Sequence, residues 1–113
     1  MKTIFSKIID REIPSSIVYE TDSVIVIKNI KPVAPVHYLI ISKIPMVDMR
    51  DSRLDAQLAA EMIATVQYLA TTLPGDQSFN VISNNGAAAG QSVMHMHWHF
   101  VSGANLYKNG LSL

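Results

Sequence analysis

Three of the chain's four histidines, His95, His97 and His99, fall within five residues, one at every second position. Met94, Met96, Trp98 and Phe100 stand between and beside them, so imidazole and large apolar group alternate strictly. Neutral imidazole is a nucleophile and a proton carrier near pH 7, and it is also a common metal ligand. A period of two is the strand period, which sends successive side chains to opposite faces. A strand over Gln91–Phe100 would bury Met94, Met96, Trp98 and Phe100 and turn the three imidazoles outward together. A helix would spread the same imidazoles over about 400°, at roughly 100° per residue, and make no common site. The spacing therefore predicts a strand with a histidine face.

Such a face has three explanations. It is a solvated surface that happens to be histidine, although Lys, Thr or Glu would serve there as well. It is a metal site, since two histidines at i and i+2 on a strand can share one zinc ion. A structural zinc site wants four protein ligands, however, and no carboxylate or cysteine follows Asp76. The third explanation is catalysis, which the preceding residues favour. The segment Asn84-Asn85-Gly86-Ala87-Ala88-Ala89-Gly90-Gln91-Ser92 is small, glycine-bearing and free of negative charge. A loop of this kind can bring backbone N–H groups and Asn, Gln and Ser side chains close to an anion. Residues 77–113 contain no Asp or Glu at all, so a phosphate there meets no formal repulsion. Imidazoles beside such a loop point to phosphoryl or nucleotidyl chemistry.

These residues carry a resemblance. His95-Met96-His97-Trp98-His99-Phe100-Val101 is similar to the His-x-His-x-His-x-x signature, x apolar, of the histidine triad (HIT) superfamily. Ile4-Phe5-Ser6-Lys7-Ile8-Ile9-Asp10-Arg11-Glu12-Ile13-Pro14 resembles the opening of its Hint, or histidine triad nucleotide-binding, branch. Pro32-Val33-Ala34-Pro35-Val36-His37-Tyr38-Leu39-Ile40-Ile41 resembles that branch's second landmark. The three occur in the family's order and cover nearly the whole chain.

The elements that must hold such a site can be read in outline. At 113 residues the chain suits one domain, taken here as 1–113. Nine basic and nine acidic residues balance with no basic run, which argues against nucleic acid or an anionic membrane as partner. No apolar run approaches the ~20 residues of a membrane span, and Lys7, Asp10, Arg11 and Glu12 interrupt any signal-peptide core. The absence of cysteine excludes disulfides and thiolate metal sites and fits a reducing, cytoplasmic setting. A hydrophobic content of 49% is generous for so short a chain, and part of it is expected in a subunit interface.

Phe5, Ile8 and Ile9 share a face by helical spacing, which predicts a short helix over 3–10 ended before Pro14. Ile17–Glu20 and Ser23–Lys28 are β-branched runs split by Thr21-Asp22, a hairpin by turn chemistry. Val36–Ile41 is the next strand, with His37 on the face of Leu39 and Ile41. Ser52 reads as the N-cap of a long helix, with Asp55 three residues on. Leu54, Leu58, Met62, Val66, Leu69 and Leu73 carry that helix to about Thr72, where Pro74-Gly75 stops it. The stripe serves the core or a dimer surface. Phe79–Ser83 is a strand leading into the small-residue loop, and the chain is irregular from Gly103. The order predicts an α+β domain, an antiparallel sheet backed by helices on one face.

The resemblance implies more. It implies a HIT-like five-stranded antiparallel sheet, with a short N-terminal helix and one long helix, and a two-fold homodimer joining two sheets into a ten-stranded one. It implies hydrolysis of a nucleoside 5′-phosphoramidate or related nucleotidyl substrate, purines preferred, without a cofactor or metal. His97 would be the nucleophile; on imidazole chemistry alone, donation from its other ring nitrogen to a backbone carbonyl would leave the attacking nitrogen deprotonated. His95 and His99 would flank the phosphate, with His37 beside the triad. Phe5, Ile8, Ile27 and Ile30 would line the base pocket. Asn84, Gly90, Gln91 and Ser92 would meet the phosphate or the leaving group, Ser92 taking a catalytic part, though loop-shaping hydrogen bonds would equally explain Asn84, Gln91 and Ser92. Asn29 stands where the branch usually has an acidic residue for the ribose hydroxyls, so it brings hydrogen bonding without charge. Thr3 and Ser6 stand where some members have a Cys-x-x-Cys pair of a structural zinc site, which should therefore be absent. The tail around Leu106 and Tyr107 would reach toward a partner's site. Dinucleoside polyphosphate hydrolysis, as in the neighbouring Fhit-like branch, and a nucleotide-binding or scaffold role are the alternatives.

Overall fold

The computed structural model describes residues 2–75, 78–108 and 110. The β-branched runs form β1 (Ile17–Glu20) and β2 (Val24–Lys28), an antiparallel hairpin. Thr21 closes it, its Oγ1 accepting the N–H groups of Ser23 and Val24. With β3 (Val36–Ser42), β4 (Phe79–Ser83) and β5 (His97–Ser102) they make one five-stranded sheet in the order β1-β2-β3-β5-β4, antiparallel throughout. One short helix, α1 (Ile4–Ile9), and one long helix, α2 (Ala56–Thr71), accompany it. The expected α+β fold class is the observed one.

The helices do not share a face. Val24, Val26, Ile40, Trp98 and Phe100 pack with Leu58, Met62 and Leu69 of α2. Ile25, Ile27, Leu39 and Ile41 pack instead with Phe5 and Ile8 of α1. Alternation along β2 and β3 places these clusters on opposite sides of the sheet. The reason lies in β2, whose Val24-Ile25-Val26-Ile27 run is apolar on both faces and buried at all four positions. A strand of that kind needs cover on both sides. The leucine and methionine stripe of α2 closes this chain's own core, since Leu58, Met62, Leu69 and Leu73 are all buried.

Two boundaries differ from expectation. α2 is capped by Asp55, whose carboxylate accepts the Leu58 N–H at 2.9 Å, and not by Ser52. Asp51 draws the preceding residues into a turn of their own by accepting the Arg53 N–H at 2.9 Å. The histidine strand begins at His97, where β3 and β4 start to supply partners: His97 faces Ile41 and Trp98 faces both Ile40 and Ser83. Residues 91–96 lie outside the sheet, and Met96 N–H is held by the Met46 carbonyl at 2.7 Å. Met96, Trp98 and Phe100 are buried as the alternation requires, but Met94 is 40% exposed.

Candidate active site

β3 and β5 lie side by side, and their pairing sets His99 opposite Leu39 and His97 opposite Ile41. His37, two residues from Leu39, therefore shares the α1 face with both. That face is not solvated. α1 lies over it, Phe5 makes an edge contact with the His97 ring at 4.9 Å between centroids, and His37, His95 and His97 are all buried.

Hydrogen bonds fix each tautomer. His97 Nδ1 lies 2.8 Å from the His95 carbonyl, which can only accept, so Nδ1 carries the hydrogen and Nε2 holds a lone pair. His37 Nδ1 accepts the Val33 N–H at 3.2 Å, so its Nε2–H donates to His99 Nδ1 at 2.8 Å. His99 in turn keeps its hydrogen on Nε2. His95 donates Nε2–H to the Ser42 carbonyl at 2.6 Å, and its Nδ1 faces the hydroxyls of Thr3 and Ser6 at 3.3 and 3.4 Å. Both nitrogens of His95 thus have protein partners.

Burial disfavours the imidazolium form of all four rings. It lowers the pKa of His37, of His95 against an opposing contribution from the Ser42 carbonyl, and of His97 against one from the His95 carbonyl. His99 is pushed down to about 4, by burial first and then by repulsion from His97 and His37. At pH 7 the cluster is neutral.

Phe5, Ile8 and Ile27 come together in one apolar cluster beneath the histidines. Ile30 does not join them and stands 87% exposed. Asn29 sits against His37: its Oδ1 accepts the Lys31 N–H at 2.9 Å, and its Nδ2 lies 3.2 Å from His37 Nε2. That nitrogen already gives its hydrogen to His99, so two donors face each other, and the amide has an N–H left for a ligand acceptor. A carboxylate at 29 would accept from both Lys31 and His37.

The loop between β4 and β5 turns through a single 3-10 helix, Ala87–Ala89, between Gly86 at φ 98° and Gly90 at φ 97°. Both have positive φ, which glycine adopts without strain, and Gly90 lies in the left-handed helical region. The N–H groups of Ala89, Gly90 and Gln91 are donated to carbonyls inside the loop, which removes them from any anion. Gln91 is buried and shapes the loop: Oε1 accepts the Gly86 N–H at 2.8 Å, and Nε2 donates to the carbonyls of Val47 and Val93 at 2.6 and 3.0 Å. Ser92 and Gly90 are exposed, and Asn84 is half-buried beside Gly90.

The residues that the motif reading did not assign are those that hold the histidines: the Ser42 carbonyl, the Val33 N–H and the hydroxyls of Thr3 and Ser6. Main-chain groups leave no residue-type signal. Thr3 does leave one, as a threonine just before an apolar helical period, and it is the observed N-cap, its Oγ1 accepting the Ser6 N–H at 3.2 Å.

A neutral imidazole with a free lone pair, sharing one sheet face with a second imidazole that keeps an N–H donor, is a centre suited to nucleophilic attack on an electrophile that carries oxygen acceptors. A family model described as HIT domain matches residues 10–106, and the chain belongs to the HIT family. It is 38% identical over 107 residues to the purine nucleoside phosphoramidase of Escherichia coli, covering 93% of this chain and 90% of that one. It is 34% identical over 109 residues to a 14 kDa zinc-binding protein of Brassica juncea, covering 92% and 95%. A solved HIT family hydrolase from Clostridium thermocellum superposes with a TM-score of 0.86 at 37% identity, over 98% of this chain and 96% of that one.

The groups facing His95 Nδ1 are two neutral hydroxyls, whereas zinc takes thiolate, imidazole or carboxylate. Among the described residues no group of three or more His, Cys, Asp or Glu could hold a metal ion, and no helix is long and apolar enough to cross a membrane.

Proposed function

We propose that this HIT domain, spanning 1–113, hydrolyses nucleoside 5′-phosphoramidates, purines preferred, or related nucleotidyl substrates, through a nucleotidyl-histidine on His97. The observation that carries the proposal is the Nδ1–H of His97 held by the His95 carbonyl, which presents an unprotonated Nε2 from a ring kept neutral by burial. Water attacks a nucleotidyl phosphorus poorly, and a protein nucleophile divides the reaction into two easier steps. In the first, Nε2 bonds to phosphorus while the phosphorus–nitrogen bond of the substrate breaks, and the leaving amine takes up a proton from solvent. The exposed hydroxyl of Ser92 is assigned to the leaving group. In the second, water adds to phosphorus, loses its proton to solvent and releases the nucleoside monophosphate with free His97.

His99 supplies its Nε2–H to a phosphate oxygen, and His37 fixes His99 in that tautomer. Phe5, Ile8 and Ile27 take the base, and Asn29 meets the ribose. The chemistry calls for no metal or cofactor. A homodimer fits the free edge of the sheet, where Phe79 and Val81 of β4 are 38% and 40% exposed. Light scattering that found only monomers at micromolar concentration would remove that part. The balanced charge and lack of cysteine support a cytoplasmic enzyme of small molecules rather than of nucleic acid.

The test is a substrate panel: adenosine and guanosine phosphoramidates against diadenosine polyphosphates, with nucleotide binding measured alongside. Rapid quenching should trap acid-labile, alkali-stable label on His97. Faster cleavage of the polyphosphates, or binding without turnover, would replace the assignment with a polyphosphate hydrolase or a binding module.

A further inference from the structure

We propose that Thr3 and Ser6 are positioning residues for the nucleophile, forming a hydroxyl clasp that locks the start of α1 onto His95. The proposal rests on the assignment of His97 as nucleophile. His95 is 1% exposed, and its Nε2–H is fixed on the Ser42 carbonyl at 2.6 Å. The remaining Nδ1 must accept, and among the described residues only the hydroxyls of Thr3 and Ser6 face it, at 3.3 and 3.4 Å. They lie 3.3 Å from each other, so one can donate to the other while that other donates to the ring. Without them a buried ring nitrogen would lack a partner, which is costly.

The same histidine fixes His97 through its main chain. The His95 carbonyl takes the Nδ1–H of His97 at 2.8 Å, and that bond decides which nitrogen of His97 attacks. A shift of the His95 main chain, which the anchored ring restrains, would therefore release the tautomer of His97. The clasp also joins two parts of the site, because Thr3 caps the helix whose Phe5 touches the His97 ring. The two hydroxyls thus hold α1 to the residues that lead into β5.

A cleft of about 460 Å³, lined in part by Thr3, Ser6, Met46, Asp48 and His95, opens beside the clasp. Water can enter there and replace a lost hydroxyl in part, so single truncations are expected to be mild. Ser6→Ala removes one donor and leaves the Thr3 cap intact, since the cap uses the Ser6 N–H. The double variant Thr3→Val/Ser6→Ala removes both hydroxyls. It should lower kcat roughly tenfold, the equivalent of about one hydrogen bond in the barrier, with KM little changed. The acid limb of the rate should move to higher pH as water reaches His95. Thr3→Ser/Ser6→Thr, which keeps both hydroxyls, should restore the wild-type rate.

The reading independent of activity is the Nδ1 proton of His97 by NMR. In the wild type it should exchange slowly with solvent, and in the double variant at least tenfold faster, with the circular dichroism spectrum unchanged. Unaltered exchange and rate in a folded double variant would overturn the clasp, as would a swapped variant as slow as the double one. Faster exchange together with a fully active His97→Ala protein would keep the clasp and end the nucleophile assignment instead.

Discussion

The two faces of the sheet are built from the same strands and do opposite work. On the α2 face a sixteen-residue helix closes over Val24, Val26, Ile40 and Phe100, each buried to 0% exposure. On the α1 face a six-residue helix contributes two buried side chains, Phe5 and Ile8, which pack on Ile25, Ile27, Leu39 and Ile41 beside the imidazoles. A tightly packed face resists any change of volume, whereas the other keeps polar groups buried only because each has a partner. Stability is concentrated on one side and the proposed chemistry on the other, and one residue of shift in β5 would exchange them.

Substitutions should separate the faces. His97→Ala should cut kcat by on the order of 10³ to 10⁶, the range for loss of a catalytic nucleophile, while the denaturation midpoint changes little. Single-turnover kinetics beside urea titration checks both halves, and an active variant would sink the distinction. Phe100→Ala, on the opposite face, should cost about 3–5 kcal/mol of stability through the cavity it leaves. Its folded fraction should turn over at the normal rate in activity normalised to native protein.

Ile8→Ala tests where the division blurs. Ile8 is buried with Phe5 and also assigned to the base, so both nucleoside monophosphate affinity and stability should fall, the former by about 1–3 kcal/mol. Isothermal titration that found unaltered affinity would place the base elsewhere.

The pH prediction follows from His99. Its folded pKa is about 4 against an ordinary 6.5, so between those values the unfolded chain binds more protons than the native one. The stability that His99 contributes is therefore complete above pH 6.5 and declines as pH falls toward 4. Denaturation across pH 4–7 should show a shallower decline in His99→Gln. The smallest effect is expected at Asn29. Asn29→Asp would give His37 an anionic acceptor and raise the acid limb of the rate by about one pH unit. A rate profile unmoved by that change would break the proposed Asn29–His37–His99 connection.

How far the sequence led can be judged at particular residues. The alternation of 94–100 located β5 and its buried partners, but it could not show that pairing starts only at His97, because that depends on where β3 and β4 end. The hairpin and the α2 stripe were legible from side chains that pack locally. The cap of α2 was misplaced by three residues because Ser52 and Asp55 are both good caps, and Asp51 decides between them by making its own turn. The helices were placed on one face although the run Val24–Ile27 carried the contrary signal. At the site, the donor role of His97 Nδ1 was expected on general grounds, and a carbonyl does receive it. The partners of His37 and His95 were not legible, since Val33 and Ser42 act through their main chains, which every residue possesses.

The neutrality of the four imidazoles has a consequence for traffic through the site. The loop of 84–92 bears no charge of either sign, and Arg50, which lies against Gly86, is paired with Asp48. An arriving nucleotide meets no strong local field, so its capture depends on collision and fit and responds little to ionic strength. The same holds for departure. On the proposed route, a nucleoside monophosphate freed from His97 meets no lysine or arginine ion pair at the triad among the described residues, and product release need not limit turnover.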